Sequence, residues 1–414
     1  MVNKLLGSAA LVALIASSVV ACGGSAGSGA DPATGSTITV GVMADLTGPY
    51  SSDFATTEKG VKARIDLQNA QGGVNGHQLK YVMADTTSTV AGTLSAAQTL
   101  VQNDNAFAVL GDNADGSGAV NFLHQQNVPY LAEASSAPQF GDAAYTNMFS
   151  VTGSYNPHYA VATTYGDFFR KEGVTSVAGV GYPDAASANA VKEHLAGAAA
   201  VGLKVSYTNT SLPIGSTDVG AIALGIQRSG ADGIFLPILP NTAFALLGQL
   251  KQLGVHLKAV VVLTGYGEDL LGSPPAVQAA QGDDFTSFLS PLELNTPATK
   301  TVQNAMRKYS GITTNPTSAE YYGWLLADAF IAGLKASPTN PTRQQFNTAL
   351  RGVHNYTAGG LYTGTPLDFS QIGNVSGGTG PGNCIYVVQL RGNAFHPVPG
   401  AQPICGKLTG QTVG

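Results

Sequence analysis

The sequence predicts an α/β protein built as two lobes, each a mostly parallel sheet flanked by helices. Three observations predict it. From Thr37 onward, short β-branched runs alternate with stretches of helical apolar period; the alternation breaks and restarts near residue 176; and 414 residues, at the usual ~100–200 per domain, are enough for two sizeable cores.

The first series of strands is read from "ITVGVM" (38–43), "LKYVMA" (79–84), "AFAVLG" (106–111) and "VPYLA" (128–132). Continuous apolar runs of this length, without polar alternation, suit parallel strands buried on both faces. Between them lie segments such as 93–101, where Leu94, Ala97, Leu100 and Val101 share one helical face, and the βαβα order implies a sheet covered by helices on both sides. The second series comprises "SVAGVGY" (176–182), "LKVSYT" (203–208), "GIFLPIL" (233–239) and "AVVVLTG" (259–265), separated by helical stretches at 188–199, 219–229 and 243–253. Beyond Gly282 come a strand-like "FTSFLS" (285–290), helices over 299–309, 318–335 and 342–350, and a final strand "CIYVVQL" (384–390).

Composition narrows the function. Charged residues make up 11% and the formal net charge is −5, with no basic run, so the electrostatic basis for binding nucleic acid is missing. The seven histidines form no H-E-x-x-H, the three cysteines no Cys-x-x-Cys, and there is no G-x-x-x-x-G-K-[ST] loop; no metal, nucleotide or other cofactor is expected. A G-x-S-x-G match at residues 23–27 lies in a flexible stretch rather than between a strand and a helix, where a nucleophilic serine would be presented.

The N-terminus has the layout of a secretory signal: Lys4, an apolar run over 5–20 diluted by Gly7, Ser8, Ser17 and Ser18, then small residues. A membrane span needs ~20 predominantly apolar residues, and this run is shorter and interrupted. Val19-Val20-Ala21-Cys22 resembles the bacterial lipobox, in which the cysteine is acylated and becomes the first mature residue; ordinary export beside an incidental cysteine is the alternative. Residues 23–36, rich in Gly and Ser, behave as a tether. If Cys22 is taken by lipid, Cys384 and Cys405 are left either as a disulfide or as two unpaired buried thiols. As a disulfide closing a loop of about 20 residues they would contribute ~3 kcal/mol through the unfolded state.

Ligands of open parallel sheets bind at the carboxyl ends of strands, where helix N-termini offer free N–H groups. Three polar loops occupy such places. "LTGPYSSDF" (46–54) puts Tyr50, Ser51, Ser52 and Asp53 after the first strand. "GDNADGSGA" (111–119) puts Asp115, Gly116 and Ser117 at the start of a helix after the third, suited to an anionic ligand group, and "AEASSAP" (132–138) puts Ser135 and Ser136 after the fourth. Any one of them is also ordinary turn and capping chemistry; three at successive strand ends point to a ligand.

The same residues resemble the branched-chain amino-acid-binding family of type I periplasmic solute-binding proteins, the receptors of ABC importers. The signature stands as "ITVGVMADLTGPYSSDF" and "NAQGGVNGHQLKYVMAD" (69–85), and weaker agreement runs through "AFALLGQLKQLGV" (243–255), "SAEYYGWLLADAF" (318–330) and "IYVVQLRGNAF" (385–395). The resemblance implies a two-lobe clamshell with three crossovers: a signal peptide at 1–21, a tether at 22–36, lobe 1 from 36–153 and 286–378, lobe 2 from 154–285 and 379–410. It further implies a monomer, held outside the cytoplasm by lipid on Cys22, that takes a small-molecule ligand between its lobes and passes it to a membrane permease without breaking a bond. A receptor that senses the ligand without transport uses the same clamshell. An exported hydrolase would need Ser117 or Ser135 as its nucleophile.

Carried over residue by residue, the family's ligand-carboxylate site falls on Gly116, Ser117, Ser135 and Ser136, and its long-helix tyrosine on Tyr322. Its first-loop tyrosine is replaced by Asp53. In the second lobe, "GYPDAAS" (181–187) offers Tyr182 and Asp184, and Leu239 stands where relatives often have an aromatic residue. In "LTGYGED" (263–269), Tyr266 takes the place of the carboxylate that pairs with a ligand ammonium. An unpaired buried ammonium costs several kcal/mol, so either Glu268, Asp53 or Asp184 serves as the anchor or the ligand has no ammonium. Amides, aromatic acids and other small organics are therefore as compatible as amino acids.

Overall fold

The computed structural model describes residues 37–132, 137–152, 160–362, 364, 366–371, 383–398 and 403–413. The expected signal and tether, Cys22, Ser135 and Ser136 lie outside these described residues.

The chain begins with β1 (Thr37–Ala44), the short α1 (Ser51–Phe54), α2 (Thr57–Ala70), β2 (Gln78–Asp85), α3 (Val90–Gln98), β3 (Ala108–Asp112), α4 (Ser117–Gln125), β4 (Tyr130–Ala132) and β5 (Met148–Ser150). These strands form one parallel sheet in the order β2-β1-β3-β4-β5. The helix expected over 93–101 starts at Val90 and runs into a π-helical turn, Thr99–Asn103. The glycine-rich turn between α2 and β2 has a backbone reason: Gly72, Gly73, Asn75 and Gly76 all have positive φ, a region that glycine and asparagine enter most readily.

The chain then builds a second unit: β6 (Ala160–Ala162), α5 (Thr164–Lys171), β7 (Ser176–Val180), α6 (Ala185–Ala200), β8 (Lys204–Asn209), α7 (Gly220–Ser229), β9 (Gly233–Leu236), α8 (Pro240–Gln252), β10 (Ala259–Val262), α9 (Glu268–Leu271), α10 (Pro274–Ala279) and β11 (Asp284–Ser287). The strand expected over 285–290 stops at Ser287, whose hydroxyl donates to the Leu289 carbonyl (2.8 Å) and accepts from the Leu289 N–H (3.1 Å), turning the chain away.

Next, α11 (Pro297–Ser310), α12 (Ser318–Ala336) and α13 (Arg343–Arg351) return to the first sheet. Thr317 and Glu320 form a reciprocal capping box at the start of α12. Two glycines let α12 lie directly on α2: a Cβ at Gly60 would stand 1.7 Å from the Glu320 carbonyl oxygen, and one at Gly323 2.3 Å from that of Thr57. Arg64 crosses this contact to Asp328 (2.7 Å) with its guanidinium over Trp324. Finally β12 (Cys384–Arg391), β13 (Ala394–Val398), β14 (Ile404–Cys405) and β15 (Leu408–Thr412) complete the second unit. Its sheet order is β13-β12-β11-β10-β9-β7-β8, with β12 and β13 antiparallel. β14 pairs with β12 through the disulfide Cys384–Cys405, and β15 pairs with β6. The two cysteines are therefore bonded rather than separate thiols.

Each sheet carries a buried apolar cluster on both faces. Val40, Val42, Leu110 and Phe330 belong to one side of the first sheet, Met43, Val109, Leu100 and Leu123 to the other; Ile234, Leu236 and Val262 oppose Phe235, Val261 and Phe168 in the second. Burial on both faces explains the unbroken β-branched runs. Among the described residues, no helix is long and apolar enough to cross a membrane.

Candidate functional site

The carboxyl ends of the two sheets face one another across a cavity of about 590 Å³. From the first unit, Tyr50, Asp53 and Phe54 reach it from the loop and helix after β1, Asp112 to Ala114 from the end of β3, and Tyr321 and Tyr322 from α12. From the second, Tyr182 and Asp184 follow β7, Ile238 and Leu239 follow β9, and Leu263, Thr264 and Tyr266 follow β10. Thr164 at the start of α5, Thr286 on β11, and Cys384 and Ile385 on β12 also line the cavity.

Of the residues expected to meet a ligand, Tyr50, Asp53, Tyr182, Asp184, Tyr266 and Tyr322 thus come together around one cavity. Asp184 caps α6, its Oδ1 accepting from the Ser187 N–H (2.9 Å). Its Oδ2 accepts from the Tyr50 phenol at 3.3 Å, a bond between two lining residues that links the two units. Tyr182 donates its phenol to Thr242 Oγ1 (3.0 Å) and accepts from the Leu239 N–H (3.0 Å), fixing the two second-unit loops to each other. The Tyr322 ring packs edge-on against Phe288 at 5.3 Å. Asp53 sits on α1 with no hydrogen bond to its carboxylate among the described residues; burial, then the charge of Asp269, pushes its pKa up to about 7.

Asp115, Gly116, Ser117 and Glu268 are not among the residues lining the cavity. The reason at α4 is local: the Ser117 N–H donates to Asp115 Oδ1 (3.1 Å) and the Ser117 hydroxyl donates to the same oxygen. At this helix start, expected to receive an anionic ligand group, the Ser117 N–H and hydroxyl are already taken by a neighbouring carboxylate. The "LTGYGED" turn does something other than anchor an ammonium. Tyr266, buried, donates its phenol to Glu293 Oε2 (2.6 Å) and accepts from the Leu292 N–H (2.9 Å). The Glu268 N–H donates to the Pro316 carbonyl (3.3 Å), and Asp269 accepts from the Ser318 N–H (2.8 Å). A Cβ at Gly267 (φ 103°) would lie 2.1 Å from the Pro316 carbonyl oxygen. This turn is a clasp between the second unit and the start of α12.

Sequence reasoning missed Glu193 and His194, which line the cavity from α6. Both sit on the helical face shared with Ala186 and Ala190, so projecting a 3.6-residue period from the Asp184 cap would have found them. Burial raises the Glu193 pKa to about 7 and lowers that of His194 to about 3. His194, packed 4.3 Å from the Tyr165 ring and 4.7 Å from Phe235, is therefore neutral. Among the described residues, no group of three or more His, Cys, Asp or Glu side chains is placed to hold a metal ion.

Comparison with known proteins fits this geometry. The family described as periplasmic binding protein matches residues 37–394. A Pseudomonas aeruginosa protein named amino acid binding protein is 27% identical over 227 residues, 53% of this chain and 58% of that protein; a Brucella abortus Leu/Ile/Val-binding protein homolog 2 is 29% identical over 27% of this chain and 30% of its own. The chain thus aligns with less than two thirds of these relatives' length. Among solved structures, a Thermus thermophilus branched-chain amino acid ABC transporter protein with bound valine superposes with a TM-score of 0.73 at 18% identity, over 90% of this chain and 97% of that one. An R. palustris solute binding protein in complex with benzoate gives 0.71 at 15% identity, over 91% and 99%. At these identities the likeness carries the fold. With the family match spanning most of its length, the chain belongs to the periplasmic binding protein family.

Proposed function

We propose that this protein is the solute-binding receptor of an ABC importer, held outside the cytoplasm by lipid on Cys22, and that it captures a small organic molecule between two lobes and presents the closed form to a membrane permease. The lobes are 36–153 with 286–378 and 154–285 with 379–410, and no bond is broken in the process. One observation carries the reading: the cavity's walls come from both units, and the Tyr50–Asp184 bond joins them. A molecule seated there gains contacts to both walls only when the lobes are together, so binding and closure are one equilibrium. The relatives that bind amino acids and benzoate support a small organic ligand.

A thermal-shift screen of small organic molecules, followed by small-angle scattering on any that stabilise, tests the reading. A ligand at 100 times its Kd adds about 2.7 kcal/mol, and its complex should have a smaller radius of gyration than the free protein. Stabilisation without compaction would overturn capture by closure. Cys22→Ser should move the protein from membranes to the medium, and retention on membranes would overturn the anchor.

A further inference from the structure

We propose that the molecule held in the cleft is a net organic cation, a small apolar or aromatic body bearing an amine or ammonium group, rather than an anion or a zwitterion. The inference rests on the receptor reading and names its ligand class. Three features of the cleft carry it.

The first is the charge of the walls. Asp53, Asp112, Asp184 and Glu193 line the cavity, while no lysine or arginine does. The segments outside the described residues contain no Lys or Arg except Lys4. Among the described residues the one titratable base in the lining is His194, neutral in its aromatic packing. An anion placed among these carboxylates would face repulsion strengthened by the low-polarity surroundings, and a zwitterion would leave their charge uncompensated.

The second is an unused acceptor. Asp112 Oδ2 takes the Thr57 hydroxyl (2.6 Å) and Asp184 is held by Ser187 and Tyr50, but Asp53 and Glu193 accept no hydrogen bond among the described residues although both face the cavity. Carboxylates desolvated without a partner stand ready for a donor the ligand brings. The rings of Tyr50, Phe54, Tyr182 and Tyr322 line the same cavity as Asp53, and aromatic side chains attract a cation and cover its apolar part.

The third concerns the place where a ligand carboxylate would ordinarily go. The N–H groups opening α4 are the natural anion site of the first unit, but Asp115 fills it from within and Asp45 Oδ2 takes the Ala114 N–H at 2.9 Å. Internal carboxylates thus occupy the Ala114 and Ser117 N–H groups, two of the donors that a ligand anion would use there.

The test is a charge-sorted panel at pH 8 on the mature protein: benzylamine, choline and 1,4-diaminobutane as cations, leucine and valine as zwitterions, benzoate and 4-hydroxybenzoate as anions, benzyl alcohol and benzamide as neutral bodies. The largest melting-temperature shifts are expected from cations, with the best binding at least tenfold more tightly by calorimetry than its neutral counterpart. Asp53→Asn should weaken that cation at least tenfold and Asp53→Glu should restore most of it, which separates charge from folding. If zwitterions, anions or neutral compounds stabilise most, or if Asp53→Asn leaves cation affinity unchanged while the variant melts normally, the charge inference is overturned and the receptor reading stands. If no compound of any class stabilises the protein, both fall.

Discussion

The starts of α4 and α6 use the same chemistry to opposite ends. Each follows a strand of its own sheet, and each has an aspartate just ahead of a serine whose N–H it accepts. At α4, Asp115 bonds both the N–H and the hydroxyl of Ser117, closing the helix end on itself away from the cavity. At α6, Asp184 spends one oxygen on the cap and extends the other to Tyr50 of the first unit. One end is a structural terminus and the other a contact between units. The difference lies in where the second carboxylate oxygen points, which is a matter of loop geometry and not of residue type.

Breaking the packing beneath α4 is expected to have the largest effect. A Cβ at Gly118 would stand 2.1 Å from the Val90 carbonyl oxygen, so Gly118→Val should cost about 3 kcal/mol, read as a lower urea midpoint. A variant as stable as the parent would mean that α4 is free to shift and to open its start to a ligand. Next, Asp184→Ala removes a cap worth about 1 kcal/mol together with the Tyr50 contact. Ligand affinity should drop about tenfold, equivalent to ~1.4 kcal/mol, along with a modest loss in melting temperature. Asp115→Ala should cost about 1 kcal/mol of stability yet leave affinity unchanged within about twofold; a matching loss of affinity would erase the distinction between the two ends.

The smallest effect is a pH dependence. Asp53 and Glu193 have folded pKa values raised to about 7, so between their unfolded values and about 7 the folded state binds more protons than the unfolded one. Their contribution therefore makes the ligand-free protein less stable as pH rises through that window and levels off above it. A melting temperature falling from pH 5 to pH 8, with Glu193→Gln flattening the fall and Asp115→Ala leaving its slope unchanged, is the expected result. The opposite slope would contradict the charge placed beside α6.

The sheets were legible because parallel strands buried on both faces spell themselves as β-branched runs. β5 was not, since Met148–Ser150 is too short to show a pattern, nor were β13 to β15, where polar residues such as His396, Thr409 and Gln411 dilute the edge strands. Tyr50, Asp53, Tyr182 and Asp184 were legible because their loops follow strands directly. Asp115 and Ser117 read as an open helix start, because sequence cannot tell a serine awaiting a ligand from one bonded two residues back. Glu193 was hidden because a charge in mid-helix ordinarily reads as a solvated face. The clasp was invisible for another reason: Asp269 meets Ser318 from 49 positions away.

The close seating of α2 on α12 has a consequence for the order in which the chain becomes a protein. Arg64 and Asp328 are 264 positions apart, so the first sheet is synthesised with one side of α2 uncovered. At ~5–20 residues per second, its partner helix arrives more than about ten seconds later. Throughout that interval the side of α2 around Gly60 lacks the helix that packs on it. For the exported receptor proposed above such a delay is useful, because a first domain that closes late leaves the chain threadable through an export channel.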